Sequence, residues 1–106
     1  MTEIEKARKI INRADKEIAK LFVERMRAVE KVFDYKKEHG LPIYDEKREF
    51  EVLNRNSEYV SDEVLKAYYI GFQKNVMEIS KKYQSRLQNG VRIAYSGVEG
   101  AFAHIA

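Results

Sequence analysis

The sequence predicts an all-α fold, three helices per chain with a long first helix, on three observations. Residues 3–39 contain neither Pro nor Gly, and their apolar residues recur at spacings of three and four. Gly40 with Pro42, the polar run Asn54–Glu58 and Gly90 then punctuate the chain at helix-sized intervals. Finally, 44% hydrophobic and 35% charged residues, with one Pro and five Gly, suit helices with a solvated surface.

The first helix is expected from Glu3 to about His39. Ile4, Ile11, Ile18, Leu21, Phe22, Val29, Val32 and Phe33 mark a stripe expected to be buried. Such a helix is about 55 Å long at its rise of about 1.5 Å per residue. A compact domain of this size has a radius of gyration of about 13 Å. The helix therefore overshoots its own domain, and a second copy of the chain is the simplest cover for the far end.

Asp45 is the expected N-cap of the second helix, which carries Glu46, Glu49 and Glu51 near its start and Phe50, Val52 and Leu53 as apolar positions. It is expected to end near Asn56. Ser61, followed by Asp62 and Glu63, is the expected N-cap of the third. Val64, Leu65, Tyr68, Tyr69, Phe72, Val76, Met77, Ile79, Tyr83 and Leu87 carry that helix to about Gln88. Gly71 inside it points to a close helix crossing. Beyond Gly90 the character changes: Val91, Ile93 and Tyr95 alternate like a strand, and SGVEGAF reads as a Gly-rich turn into a helix. Residues 90–106 are either the start of a cut-off second domain or an ordinary tail after a first domain at 1–89.

Several function classes drop out. The absence of Cys excludes disulfides, thiolate metal sites and Cys nucleophiles, and two His residues, His39 and His104, are too few for a zinc site. No metal and no cofactor is expected. Twenty Lys+Arg against seventeen Asp+Glu, well mixed, form no basic stripe for nucleic acid. The charged MTEIEKARK start has no signal-peptide core, and no apolar run is long enough to span a membrane, so a cytoplasmic protein is the default.

The remaining candidates are cations and neutral donors. Arg25 and Lys36 lie eleven residues apart, on nearly one face of the first helix. Arg8 is about 100° round and about 25 Å away, so it cannot share their small-ligand site on one straight helix. On the antiparallel helix of a partner it can. The second helix adds Asp45, Arg48 and Glu49, and the third adds Ser80 and Gln84 on one face. There is no nucleophile–base couple, so the set suits a polyanionic small molecule better than covalent chemistry. Each residue also has a structural reading: solvated helix charge, cap, capping partner (Glu49 for Asp45), core aromatic. Taken singly they support a dimeric helical protein with an anion site.

In order, Arg8, Asp15, Glu24-Arg25 and Lys36, then Asp45 with Arg48-Glu49, then Ser80 and Gln84, resemble the all-helical chorismate mutase family over about residues 3–88. That family carries R-x6-D-x8-ER-x10-K, D-x2-RE and S-x3-Q on its three helices. One departure is an extra residue before Ser80 relative to some members. The tail VRIAYSGVEGAFAHIA resembles the opening of prephenate dehydratase, AYxGxxGAxSHxA, with Ala103 where many members have Ser. The whole resembles a bifunctional chorismate mutase–prephenate dehydratase cut just inside its second domain, without dehydratase activity.

The resemblance implies an interlocked helical homodimer with two sites across its interface. It implies a Claisen rearrangement of chorismate to prephenate in phenylalanine and tyrosine biosynthesis. That reaction is pericyclic and needs no nucleophile, proton shuttle, metal or cofactor. By the same resemblance, Arg25 clamps one substrate carboxylate and Arg8 of the partner subunit the other. Lys36 and Gln84 donate to the ether oxygen, Glu49 and the Asp45 backbone hold the ring hydroxyl, and Ser80 touches a carboxylate. Arg48 orients its neighbours. The competing class is a non-enzymatic helical dimer, an adaptor or weak polyanion binder, which the isoelectric point near 9.1 and the long amphipathic helix favour. It predicts salt-sensitive binding to polyanions and no turnover.

Overall fold

The computed structural model describes residues 1–90. They form three helices: α1 (Glu3–Glu38), α2 (Glu46–Ser57) and α3 (Glu63–Gln88), with no strand among the described residues. The all-α expectation holds. The expected strand at Val91, Ile93 and Tyr95, the Gly-rich turn and the second-domain start lie outside the described residues.

Local chemistry explains the ends of α1. Thr2 accepts from the Glu5 backbone N–H at 3.2 Å, and Glu5 accepts from the Thr2 backbone N–H at 3.0 Å, a closed capping box. At the other end Gly40 adopts φ 66°, a left-handed conformation open to Gly at little cost. Gly40 N–H then reaches Lys37 O and Leu41 N–H reaches Lys36 O at 2.8 Å, a Schellman stop with Pro42 just beyond. Asp45 caps α2 through the Arg48 N–H, as expected, and Glu49 is not its capping partner.

Three expectations need correction. The third helix is capped by Asp62, whose carboxylate accepts from Leu65 N–H at 2.9 Å, and not by Ser61. The second helix ends at Ser57, one residue past the expected Asn56, so most of the polar run Asn54–Glu58 forms its last turn and not a break. It stays helical because Ser57 Oγ donates to Asn54 O and Asn56 Nδ2 donates to Gln73 Oε1 on α3, at 2.8 Å each. Gly71 has open space where a Cβ would stand, so no helix crossing within the described chain requires it.

The largest correction concerns burial. α3 packs against both α1 and α2, which do not pack on each other. The buried apolar side chains are Met26, Val29 and Phe33 from α1 with Met77 and Leu87 from α3. Every residue from 1 to 24 is exposed, and so are Ile4, Ile11, Ile18, Leu21, Phe22 and Val32 of the expected stripe. On α3, Val64, Leu65, Tyr68, Phe72 and Ile79 are also exposed. The reason is reach. The 36 residues of α1 span about 54 Å, the longest dimension of the described structure at 54 Å, and α3 covers the C-terminal part only. The radius of gyration, 17.0 Å, exceeds the roughly 13 Å of a compact chain of this length.

Candidate active site

The most enclosed face of α3 is more polar than apolar. Gln73, Met77, Ser80, Gln84 and Leu87 are its buried residues, at alternating spacings of four and three. A helix–helix contact built on hydrophobicity alone would not bury two Gln and a Ser, since each buried polar group costs free energy unless bonded. Gln73 meets that need through Asn56 and through Tyr69 Oη, the latter at 3.2 Å. Ser80 donates to Val76 O at 2.9 Å, which leaves its lone pairs facing α1.

Arg25 fills that position. Its Nη1 donates to Ser80 Oγ at 2.5 Å, tying the middle of α1 to α3. The guanidinium is half-buried, and burial pushes its pKa below the ordinary value with no opposing counter-charge. It stays protonated at any physiological pH. A half-buried cation with a neutral partner keeps donors for an incoming anion. One turn along α3, Gln84 is 6% exposed and its Oε1 is buried with no hydrogen-bond partner. Buried polar atoms in folded proteins are nearly always paired, so this oxygen is open to a hydrogen bond from outside the described residues. Half a turn of the amide exchanges Oε1 and Nε2 there.

The Schellman stop positions Lys36. It turns the chain so that Ile43 O accepts from Lys36 Nζ at 2.8 Å, holding the ammonium at the end of α1. Lys36 and Phe33 line a groove of about 360 Å³ beside this turn. Glu49 lies across α3, paired with Lys81 at 3.4 Å in a groove of about 460 Å³ between α2 and α3. Asp45 is exposed at the start of α2, with its backbone carbonyl bonded to Glu49 N–H.

The single chain thus joins Arg25, Ser80 and Gln84 at one interface but leaves Lys36 and Glu49 in separate grooves, neither of which includes Arg25 or Gln84. Arg8 lies on the exposed first half of α1, about 25 Å along the axis from Arg25. The expectation that one chain cannot bring Arg8 to Arg25 agrees with this placement.

Sequence reasoning missed other linkages. Tyr83 donates to Glu30, which also holds Arg27 at 2.7 Å, giving a second polar tie between α1 and α3. Burial foremost, then Glu30, pushes the Tyr83 phenol upward. Gln73 and Lys81 were equally unmarked; the one signal for Gln73 was its seven-residue spacing from Ser80.

Chemically the arrangement can hold anions. It has fixed cations at Arg25 and Lys36, a buried amide and a single counter-ion-paired carboxylate at Glu49. Among the described residues no group of three His, Asp or Glu side chains could hold a metal ion, and no helix is long and apolar enough to cross a membrane. No curated protein and no solved structure matches the chain. Residues 7–85, from just before Arg8 to just past Gln84, match the family described as chorismate mutase type II, and the chain belongs to that family.

Proposed function

We propose that the protein converts chorismate to prephenate, as a homodimer whose two sites each draw Arg8 from the partner subunit. The observation that carries the reading is the buried polar face of α3. Arg25 is drawn into it without a counter-charge, and Gln84 is buried beside it with an unpartnered amide oxygen. Family membership supports the chemistry. The exposed apolar first half of α1 supports the second chain.

Chorismate is a dianion with an enolpyruvyl ether, and only its folded, chair-like conformer reacts. Arg25 and Arg8 of the partner subunit clamp its two carboxylates, a task for planar forked donors. Holding that pose removes much of the entropic barrier. As the C–O bond breaks, negative charge grows on the ether oxygen, where Lys36 and Gln84 Nε2 donate. Those bonds strengthen toward the transition state and so accelerate the reaction. Glu49 with the Asp45 backbone receives the ring hydroxyl, and Ser80 steers Arg25 while touching a carboxylate. Arg25 and Lys36, each bonded only to a neutral oxygen, and the unpartnered amide oxygen of Gln84 mark the groups that this substrate would satisfy. Residues 1–89 form the mutase domain in this reading. The tail from residue 90, with its likeness to prephenate dehydratase, supports a place in phenylalanine biosynthesis.

The test follows chorismate absorbance with purified protein in EDTA, identifying the product. Saturable formation of prephenate without phenylpyruvate is expected. Conversion no faster than the spontaneous reaction, from folded protein, would leave the fold as a dimerisation module only.

A further inference from the structure

Lys81 belongs to no motif that the mutase reading uses, yet it meets two carboxylates and an aromatic ring. Its ammonium lies 2.7 Å from Glu78 Oε1, 3.4 Å from Glu49 Oε2 and 4.4 Å from the centroid of the Tyr44 ring. One side chain thereby gathers the loop before α2, α2 itself and α3. An ammonium can do this because its three N–H donors rotate freely about a compact charge and its field also attracts a ring face.

The two carboxylates are not equivalent. Glu78 sits one turn back on α3 with a side chain 57% exposed, and it anchors Lys81 from the solvent side. The Glu49 side chain is 28% exposed and faces the groove between α2 and α3. Glu78 foremost, and Glu49 after it, hold the Lys81 ammonium above its ordinary pKa, so the cation is permanent. Tyr44 beneath it directly precedes Asp45 and follows Ile43, whose carbonyl holds Lys36.

Among the proposed substrate contacts Glu49 is the one anionic side chain, and chorismate brings two carboxylates. Left bare, Glu49 repels the substrate that its hydroxyl contact is meant to hold. We propose that Lys81 is a positioning residue for this site, neutralising Glu49 and pinning it, with the Tyr44 loop, where the substrate's ring hydroxyl is received. The proposal rests on the mutase reading above. Lys81 itself does not touch the substrate. The hydroxyl contact exists in ground and transition states alike, so its loss weakens binding and leaves the chemical step intact.

The experiment is a kinetic cycle on the full chain with chorismate: Lys81→Met, Glu49→Gln, the double variant and Lys81→Arg. Lys81→Met is expected to raise KM about fivefold, the weight of a partly exposed ion pair, with kcat changed less than about twofold. In the Glu49→Gln background the same change has no charge left to balance and shifts KM by less than about 1.5-fold. Lys81→Arg, which keeps the charge and the ring contact, restores KM. Equal KM shifts in both backgrounds, a loss confined to kcat, or failure of Arg to rescue would each overturn the proposal while an active wild type upholds the mutase reading. A wild type without turnover overturns both.

Discussion

Replacing Gln84 by Met separates function from stability because the two should move in opposite directions. Gln84 is 6% exposed and its Oε1 has no partner, so the folded chain carries the desolvation cost of that oxygen, about 1–3 kcal/mol. Met has nearly the same length and helix propensity and no polar atom to strand. Relief of the orphan, set against small packing losses, should stabilise the protein by about 1 kcal/mol, raising Tm by about 4–8 °C for a domain of this size. Turnover should fall by about 10²–10³, the usual consequence of losing one donor to charge that develops in the transition state. Circular dichroism melting gives the first quantity, and chorismate consumption at saturation gives the second. A lower Tm would mean that the amide is a structural strut. Unchanged turnover would remove Gln84 from the ether oxygen.

Three further outcomes follow from the same geometry. Ser80→Ala removes the acceptor that holds Arg25 at 2.5 Å, and should raise KM several-fold at a stability cost of about 1 kcal/mol, read from kinetics and melts on one preparation. Ile18→Glu changes a side chain that is 52% exposed in the single chain, where a surface change is worth within about 0.5 kcal/mol. If that face lies in the dimer, sedimentation will show dissociation and Tm will drop well beyond this. Tyr83 has a phenol pKa raised above 10.0, chiefly by burial. Its stabilising contribution is therefore complete below about pH 10, its unfolded value, and fades as pH climbs through the folded value. Tyr83→Phe should abolish that alkaline loss in urea titrations, and a slope that persists would assign it to other groups.

What was legible in the sequence was the set of helices and their stops, because Gly40, Pro42, Asp45 and Gly90 act through backbone chemistry that needs no partner. Burial was legible at Val29, Phe33, Met77 and Leu87, which are buried as expected, and not elsewhere. Hydrophobic periodicity on α3 pointed to Val64, Leu65, Tyr68, Phe72 and Ile79, all exposed, whereas the buried stripe runs through Gln73, Ser80 and Gln84. A period count that scores only apolar residues passes over a polar stripe, and here the polar stripe accompanies Arg25. On α1 the periodicity was real, but Ile4 to Phe22 find nothing among the described residues to cover them. The cap expected at Ser61 falls one residue on, at Asp62, whose backbone is extended at φ −67° and ψ 118° and whose carboxylate accepts from Leu65 N–H. The Lys81 hub joins residues thirty or more apart, a juxtaposition that appears only once α2 folds back on α3.

Each proposed site takes Arg8 from one subunit and its remaining contacts from the other, and subunit complementation tests that arrangement most directly. Arg8→Ala and Lys36→Ala proteins, each inactive alone, are mixed under conditions where chains exchange. Half of the dimers then pair one variant with the other, and one of their two sites keeps both residues, so about a quarter of wild-type activity should return for a two-fold dimer. Persistent inactivity after exchange is verified by mass-tagged heterodimers would contradict the shared site and place Arg8 outside it.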